Sequence, residues 1–228
     1  MSDGERFVLG VDLDGVCGDY IGTFRRIVAE RLGVPAESLT RDVSWGCKEW
    51  GIQTPEEFDE LHRHAVLERH MLRHMDLIPG AAEALWRLSD AGVWIRIVTH
   101  RLYVNWGHAV TAGDTAEWLD TARIPYRDLC FIAAKSSVNA DAFVDDAPHQ
   151  IEDLRAAGQT AIVFDQPYNR HLPDPRAADW GEVEELVRDL VVERTGSYPM
   201  QLPGIDPGAD RLARRLYRHP ERAAGDDV

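Results

Sequence analysis

The sequence is poor in cysteine and has no segment suited to a membrane or to export. Its 228 residues include three cysteines and no CxxC pair, so a disulfide framework or a zinc ribbon is disfavoured. The first residues, MSDGER, lack the basic region of a signal peptide. Since no apolar run approaches the roughly 18 residues that a membrane span needs, we expect a cytoplasmic protein with no membrane partner.

Positive charge is also scarce. The chain has 25 lysines and arginines against 39 aspartates and glutamates, for a formal net charge of −14. This balance argues against a nucleic acid polymer as partner. A small phosphorylated metabolite remains compatible with it, because a bound metal ion and a few local cations can reverse the field within a site. The oligomeric state stays open, with a homodimer as one option.

Short apolar runs alternate with helical patterns along most of the chain. The runs are continuous, which is typical of strands buried on both faces of a parallel sheet. We predict strands at residues 7–11, 93–98, 129–133, 142–144 and 160–164, and helices between or after them at 81–88, 147–157 and 180–192. This alternation predicts an α/β protein with a Rossmann-like, doubly wound parallel sheet.

One stretch of about 60 residues breaks the alternation, since it contains helical patterns and no convincing strand. A helix is predicted at 20–32, and Thr54 to Glu57 form a capping box with Pro55 at the first position of a second helix. We predict a core of residues 1–17 and 78–196, a helical cap of residues 18–77 inserted after the first strand, and a partly disordered C-terminal extension of residues 197–228 with one short helix at 209–217.

Two carboxylates follow the first predicted strand, in the sequence VDLDGV. Asp12 and Asp14 therefore stand at the carboxyl end of a buried strand, where open α/β sheets bind their ligands. Two carboxylates cannot both enter a dry site in the ionised form without a cation or a proton. In isolation, the same residues are better explained as a polar turn with Gly15 at positive φ.

Further polar residues follow the later strands. Thr99 and His100 end the second, Lys135 follows the third, and Asp145 and Asp146 end the fourth. Each has an ordinary explanation alone: a strand-terminal hydroxyl, a solvated lysine, or acids that cap a helix. Together with the first pair, they supply a nucleophile, a second carboxyl group for proton transfer, cationic and hydroxyl ligands for phosphate, and acids that could hold Mg²⁺.

These segments resemble a known family. VDLDGV, IVTHR, Lys135 and FVDDAP resemble, in this order, the four motifs of the haloacid dehalogenase superfamily and, within it, the 5'(3')-deoxyribonucleotidase-like phosphatases. The stretch AIVFDQPYNR at 161–170 is similar to one found in the nucleotidase-like subfamily. The similarity runs from about residue 7 to about residue 189, and it implies a Mg²⁺-dependent phosphomonoesterase that acts on (deoxy)nucleoside monophosphates.

The resemblance also implies roles for single residues. Asp12 would be the nucleophile and Asp14 the general acid and base. Phosphatases of this superfamily carry a carboxyl group two residues after the nucleophile, whereas dehalogenases usually lack it. Phosphate would be bound by Thr99, His100 and Lys135, although small residues are frequent in the family at the position of His100. The implied Mg²⁺ ligands are Asp12, Asp14 through its backbone carbonyl, Asp145 and Asp146.

Several alternatives stay open. A phosphatase for a sugar or another small phosphate would share all of these catalytic residues, and a non-catalytic protein could bind phosphate ligands with the same fold. Trp45 and Trp50 could line the substrate site or pack in the cap core. Arg101 could contact the leaving group or be a surface charge. The histidines at 62, 64, 70 and 74 are expected to be solvated or packed rather than metal ligands.

Overall fold

A computed structural model describes residues 6–102 and 107–198. Its centre is a six-stranded parallel sheet in the order β3-β2-β1-β4-β5-β6, which confirms the predicted fold class. The strands are β1 (Val8–Val11), β2 (Trp94–Thr99), β3 (Asp128–Phe131), β4 (Ala142–Asp145), β5 (Thr160–Phe164) and β6 (Arg176–Ala177). The two-residue strand β6 was not predicted, and β3 is only half-buried because it lies at the sheet edge.

Six helices accompany the sheet in the described ranges. They are α1 (Tyr20–Leu32), α2 (Pro55–Leu67), α3 (Ala81–Asp90), α4 (His108–Ala122), α5 (Pro148–Ala156) and α6 (Trp180–Thr195). Helix α4 was not predicted, because it lacks a clear apolar stripe. Its buried face carries the polar residues Thr111, Asp114 and Thr115 beside Trp118 and Leu119. The helix predicted at 209–217 lies outside the described residues.

The segment between β1 and α3, residues 18–77, is called the insertion below. It contains α1, α2 and short 3₁₀ turns. The predicted capping box is present, since Glu57 N donates to Thr54 Oγ1 (3.2 Å) and Thr54 N donates to Glu57 Oε2 (3.3 Å). Gly18 and Leu77 form an antiparallel bridge, so the chain enters and leaves the insertion side by side.

The insertion packs against the sheet through shared apolar side chains. Phe24 of α1 is fully buried and lies edge-on to Phe58, with ring centroids 5.6 Å apart. It belongs to the same buried cluster as Leu9 and Val11 of β1. In the part of the chain that is described, none of the helices combines the length and apolarity needed to cross a bilayer.

The strand order places a ligand site between β1 and β4. The chain moves outward from β1 to β3 on one side of the sheet and then continues with β4 on the other side of β1. Such a switch in direction opens a crevice at the carboxyl ends of the two central strands. Val11 pairs with Val144, so Asp12 and Asp145 leave the sheet next to each other.

Candidate active site

Lys135 joins two carboxylates at the end of the sheet. Its Nζ lies 2.8 Å from Asp12 Oδ1 and 2.6 Å from Asp145 Oδ2. The Lys135 side chain is only 2% exposed, so it is not a solvated surface lysine. Burial by itself lowers the pKa of Lys135, but the two carboxylates outweigh burial and raise it. Lys135 is therefore a fixed positive charge beside Asp12.

Three buried carboxylates surround this lysine. Oxygen atoms of Asp12, Asp145 and Asp146 lie within 4.8 Å of one another. Burial raises the pKa of Asp12 to about 7 in spite of Lys135, and Asp145 and Asp14 add to the rise. Burial, followed by Asp12 and Asp145, also holds the pKa of Asp146 well above its usual value. One ammonium group does not balance three buried carboxylates, and hard oxygen donors of this kind suit Mg²⁺.

Asp14 is held by a buried arginine. Arg101 Nε donates to Asp14 Oδ2 (3.0 Å) and Arg101 Nη2 donates to Oδ1 (2.8 Å). The third nitrogen, Nη1, donates to Thr115 Oγ1 of helix α4 (2.9 Å). Since the Arg101 side chain is 2% exposed, the surface-charge explanation of this residue is wrong. Arg101 fixes the orientation of the second carboxyl group.

Thr99 and His100 lie where the second motif was predicted. Thr99 is buried at the end of β2, and within residues 6–102 and 107–198 its Oγ1 has no hydrogen-bond partner. A buried hydroxyl that lacks a protein partner is available to a ligand oxygen. His100 lines the cavity, and burial, with Lys135 and His149, lowers its pKa.

A cavity of about 590 Å³ lies between the strand ends and the insertion, a size typical of small-molecule sites. Its two sides differ in chemistry. The strand-end wall carries Asp12, Asp14, His100, Lys135 and Asp146. The insertion wall includes Tyr20, Trp45, Phe58, His62 and Val66, and the charged residues Lys48 and Asp59 also line it. Thr99 and Asp145 are not part of either wall, although both adjoin residues of the strand-end wall in sequence.

The two tryptophans considered as substrate contacts have different positions. Trp45 lines the cavity, is 54% exposed and lies edge-on to Tyr168 and His149, with ring centroids 5.2 Å and 5.3 Å away. Trp50 is 4% exposed and its Nε1 donates to the Thr40 carbonyl (2.8 Å). The prediction that Trp50 contacts substrate is corrected by this placement, because its ring packs against Phe24 inside the insertion.

Two of the four histidines considered in the insertion have packed or surface positions. His62 packs against Phe58 and lines the cavity, and burial lowers its pKa in spite of Asp14 and Asp59. His64 pairs with Glu68 on the surface. Among the described residues, the carboxylates around Asp12 are the one group with metal-ligand geometry, and it includes no histidine.

The sequence did not predict that the loop after β5 contacts Asp146, one of the candidate metal ligands. Tyr168 is half-buried, lines the cavity and donates its hydroxyl hydrogen to Asp146 Oδ2. Burial and the neighbouring Asp146 raise the pKa of Tyr168 well above its usual value. The stretch AIVFDQPYNR was singled out for its family resemblance, but its local pattern did not show which distant residue Tyr168 would contact.

Comparison with known proteins agrees with this geometry. Residues 6–195 match the family model described as "5' nucleotidase, deoxy (Pyrimidine), cytosolic type C protein". A protein of Chlorobaculum tepidum described as "Putative 5'(3')-deoxyribonucleotidase" is 45% identical over 184 residues, which cover 81% of this chain and 91% of that protein.

Solved structures with little sequence identity share the fold. A haloacid dehalogenase-like hydrolase from Streptococcus pneumoniae superposes with a TM-score of 0.54 at 15% identity, over 81% of this chain and 99% of its own. A predicted phosphoglycolate phosphatase from Haemophilus somnus gives a TM-score of 0.51 at 15% identity, over 82% of this chain and 100% of its own. These likenesses show the fold alone.

Proposed function

Since the chain belongs to the family of deoxy (pyrimidine) 5' nucleotidases of cytosolic type C, a family of phosphoric monoester hydrolases, we propose that it is a Mg²⁺-dependent phosphatase for (deoxy)nucleoside monophosphates. One observation supports the proposal most directly. Lys135 contacts Asp12 and Asp145 in a buried group of three carboxylates, at the switch point of the sheet. This arrangement can accept a phosphate dianion only together with a cation.

We assign the covalent step to Asp12. One oxygen of its carboxylate attacks phosphorus, the ester bond breaks, and the departing nucleoside oxygen takes a proton from Asp14, which enters the step protonated and with one oxygen released from Arg101. Asp14 then removes a proton from water, whose oxygen attacks the phosphoryl group on Asp12 and releases inorganic phosphate. The position of Asp14 beside the cavity, two residues from Asp12, supports this division of labour.

Metal and phosphate would be bound by residues of the strand-end wall together with Asp145 and Thr99. Asp12, Asp145 and Asp146 would hold Mg²⁺ together with the backbone carbonyl of Asp14. The bound ion would neutralise charge on the transferring phosphoryl oxygens. Lys135 would supply a second, permanent positive charge, and Thr99 and His100 would complete the phosphate contacts. The buried Thr99 hydroxyl, which lacks a partner in the described ranges, supports this assignment.

The insertion would act as the cap that selects the leaving group. The charged groups of the strand-end wall offer contacts suited to phosphate and metal, which every phosphate ester shares. The insertion wall presents the rings of Tyr20, Trp45 and Phe58 to the cavity, and planar bases stack on such rings. We therefore expect pyrimidine (deoxy)nucleotides to be better substrates than sugar phosphates.

A phosphate-release assay over a metabolite panel tests the proposal. With Mg²⁺ present, deoxynucleoside monophosphates should give the highest kcat/KM, and sugar phosphates and glycerol phosphate should give lower values. Excess EDTA should abolish release, and added Mg²⁺ should restore it. Higher activity on a sugar phosphate would redirect the substrate assignment, and full activity in EDTA would reject the role given to the carboxylates.

A further inference from the structure

The loop after β5, residues 165–170 and called the β5 loop here, touches both loops that carry the proposed catalytic carboxylates. Gln166 Nε2 donates to the carbonyl of Gly15 (2.7 Å), next to Asp14. Asn169 Nδ2 donates to the backbone carbonyl of Asp146 (2.8 Å). Tyr168 donates its hydroxyl hydrogen to the carboxylate of Asp146. The β5 loop thus ties the end of β1 to the end of β4.

The β5 loop is itself held rigidly. Asn169 is fully buried, and its Nδ2 also donates to the Phe164 carbonyl (2.8 Å). Its Oδ1 accepts from Gln166 N (3.0 Å) and from Arg176 Nη1 (2.9 Å). Each polar atom of the Asn169 side chain is therefore engaged. A loop anchored in this way can hold Tyr168 in one position.

Close approach of the three loops depends on Gly15. This residue has φ of +77°, and a Cβ there would overlap the Asp146 carboxylate and lie 2.9 Å from Tyr168 Oη. The Tyr168 ring also contacts Trp45 of the insertion wall, edge-on at 5.2 Å between centroids. The phenol is thus confined between the Asp14 turn, Asp146 and the insertion.

We propose that Tyr168 is a positioning residue for the metal ligand Asp146. The inference rests on the proposed function, because that function assigns Asp146 to Mg²⁺. The phenol engages one carboxylate oxygen, Oδ2, and so fixes the plane of the carboxyl group while leaving Oδ1 for the ion. Without the phenol, repulsion from Asp12 and Asp145 would turn this carboxylate away, since the three lie within 4.8 Å.

Direct measurement of Mg²⁺ binding tests this role without substrate. Isothermal titration calorimetry on the full chain should show a Kd about tenfold or more higher for Tyr168→Phe than for wild type, which is the usual cost of losing a hydrogen bond to a metal ligand. The Mg²⁺ dependence of phosphate release should shift by the same factor, and kcat at saturating Mg²⁺ should largely recover. A purely structural role would instead lower kcat at every Mg²⁺ concentration.

Tyr126→Phe is the matched control. Tyr126 is half-buried just before β3, at the amino end of the strands, so loss of its hydroxyl should leave the Kd for Mg²⁺ unchanged. An unchanged Kd in Tyr168→Phe would overturn the positioning role. If Tyr168→Phe does not fold, Gln166→Leu decides, since loss of the hydrogen bond to Gly15 releases the β5 loop that holds Tyr168 against Asp146. The Kd for Mg²⁺ should then rise, and a wild-type Kd in that variant would overturn the positioning role.

The outcomes separate this inference from the proposed function. Wild-type protein that binds no Mg²⁺ would overturn both. Wild-type protein that binds Mg²⁺ as tightly as Tyr168→Phe would overturn the positioning role alone. Failure of nucleotides in the substrate panel would leave the Mg²⁺ titrations, and therefore the role of Tyr168, unaffected.

Discussion

The two walls of the cavity are built on different principles. On the strand-end wall, Lys135 and Arg101 contact carboxylates at 2.6 to 3.0 Å, and both cations are almost fully buried. On the insertion wall, several aromatic rings stand among aliphatic and polar side chains, and Trp45 is 54% exposed. The first wall is a fixed set of charges, and the second is formed by side chains of turns and helices that lie outside this set.

This difference suggests a division between chemistry and selection. Parallel pairing of β1 with β4 fixes where Asp12 and Asp145 emerge, so the charged groups depend on the sheet. The aromatic groups depend on turns and helices of the insertion, which tolerate change more readily than a buried sheet does. Substitutions on the strand-end wall should therefore affect rate on every substrate, and those on the insertion wall should affect the ranking of substrates.

The largest expected effect is that of Asp12→Asn. An amide has nearly the shape of the carboxylate but cannot attack phosphorus, so kcat should fall by about 10⁴-fold or more on every ester in the panel. Circular dichroism should show an intact fold. The mutant should fail equally on nucleotides and on glycerol phosphate, and turnover near the wild-type rate would remove Asp12 from the role of nucleophile.

Lys135→Ala should have the next largest effect. Loss of the ammonium leaves the Asp12 and Asp145 carboxylates unpaired in a buried site, so kcat/KM should fall by about 10²- to 10³-fold. The free energy of unfolding without Mg²⁺ should fall by about 3–5 kcal/mol. Added Mg²⁺ should recover part of this stability, because it supplies the missing positive charge. Steady-state kinetics and denaturant unfolding, each with and without Mg²⁺, provide the measurements.

Lys135→Arg serves as the matched variant. It keeps the charge but replaces a compact ammonium with a planar fork, which does not fit between Asp12 Oδ1 and Asp145 Oδ2 at the present 2.8 and 2.6 Å. Activity should therefore recover poorly. Wild-type kinetics in either variant would show that the contacts of Lys135 do not matter for turnover.

The sequence was sufficient for features with a local cause. The capping box of α2 was predictable because Thr54 and Glu57 are three residues apart. The carboxylates and Lys135 were predictable because each follows a recognisable strand, and parallel strands bring their carboxyl ends to one edge of the sheet. In these cases, a short segment contains both the residue and the reason for its placement.

Features that depend on distant partners were not predictable in this way. Arg101 reaches Asp14 across 87 positions of the chain, and Gln166 reaches Gly15 across 151. Whether Arg101 is a surface charge or an ion-pair partner depends on helix α4, because Thr115 Oγ1 of that helix accepts a hydrogen bond from Arg101 Nη1. Trp50 was misplaced for the same reason, since only the packing of α1 shows that its ring meets Phe24.

The smallest expected effect, and the sharpest test of the two-wall comparison, comes from truncating one tryptophan at a time. Trp45→Ala should lower kcat/KM for a pyrimidine deoxynucleotide by about tenfold, because stacking of a base on an aromatic ring is worth about 1–3 kcal/mol. Glycerol phosphate, which has no ring to stack, should be hydrolysed as before. The free energy of unfolding should change by less than about 0.5 kcal/mol, because Trp45 is largely exposed.

Trp50→Ala is the internal control for residue type and for location in the insertion. Its ring is 4% exposed and its indole nitrogen is bonded to Thr40, so truncation should cost about 3–5 kcal/mol of unfolding free energy. Because Trp50 does not line the cavity, the ratio of nucleotide to glycerol phosphate hydrolysis should stay near the wild-type value. Equal losses on both substrates in Trp45→Ala would show that this ring supports the insertion rather than the base. Substrate choice would then have to come from other rings on the same wall, such as Tyr20, Phe58 and His62.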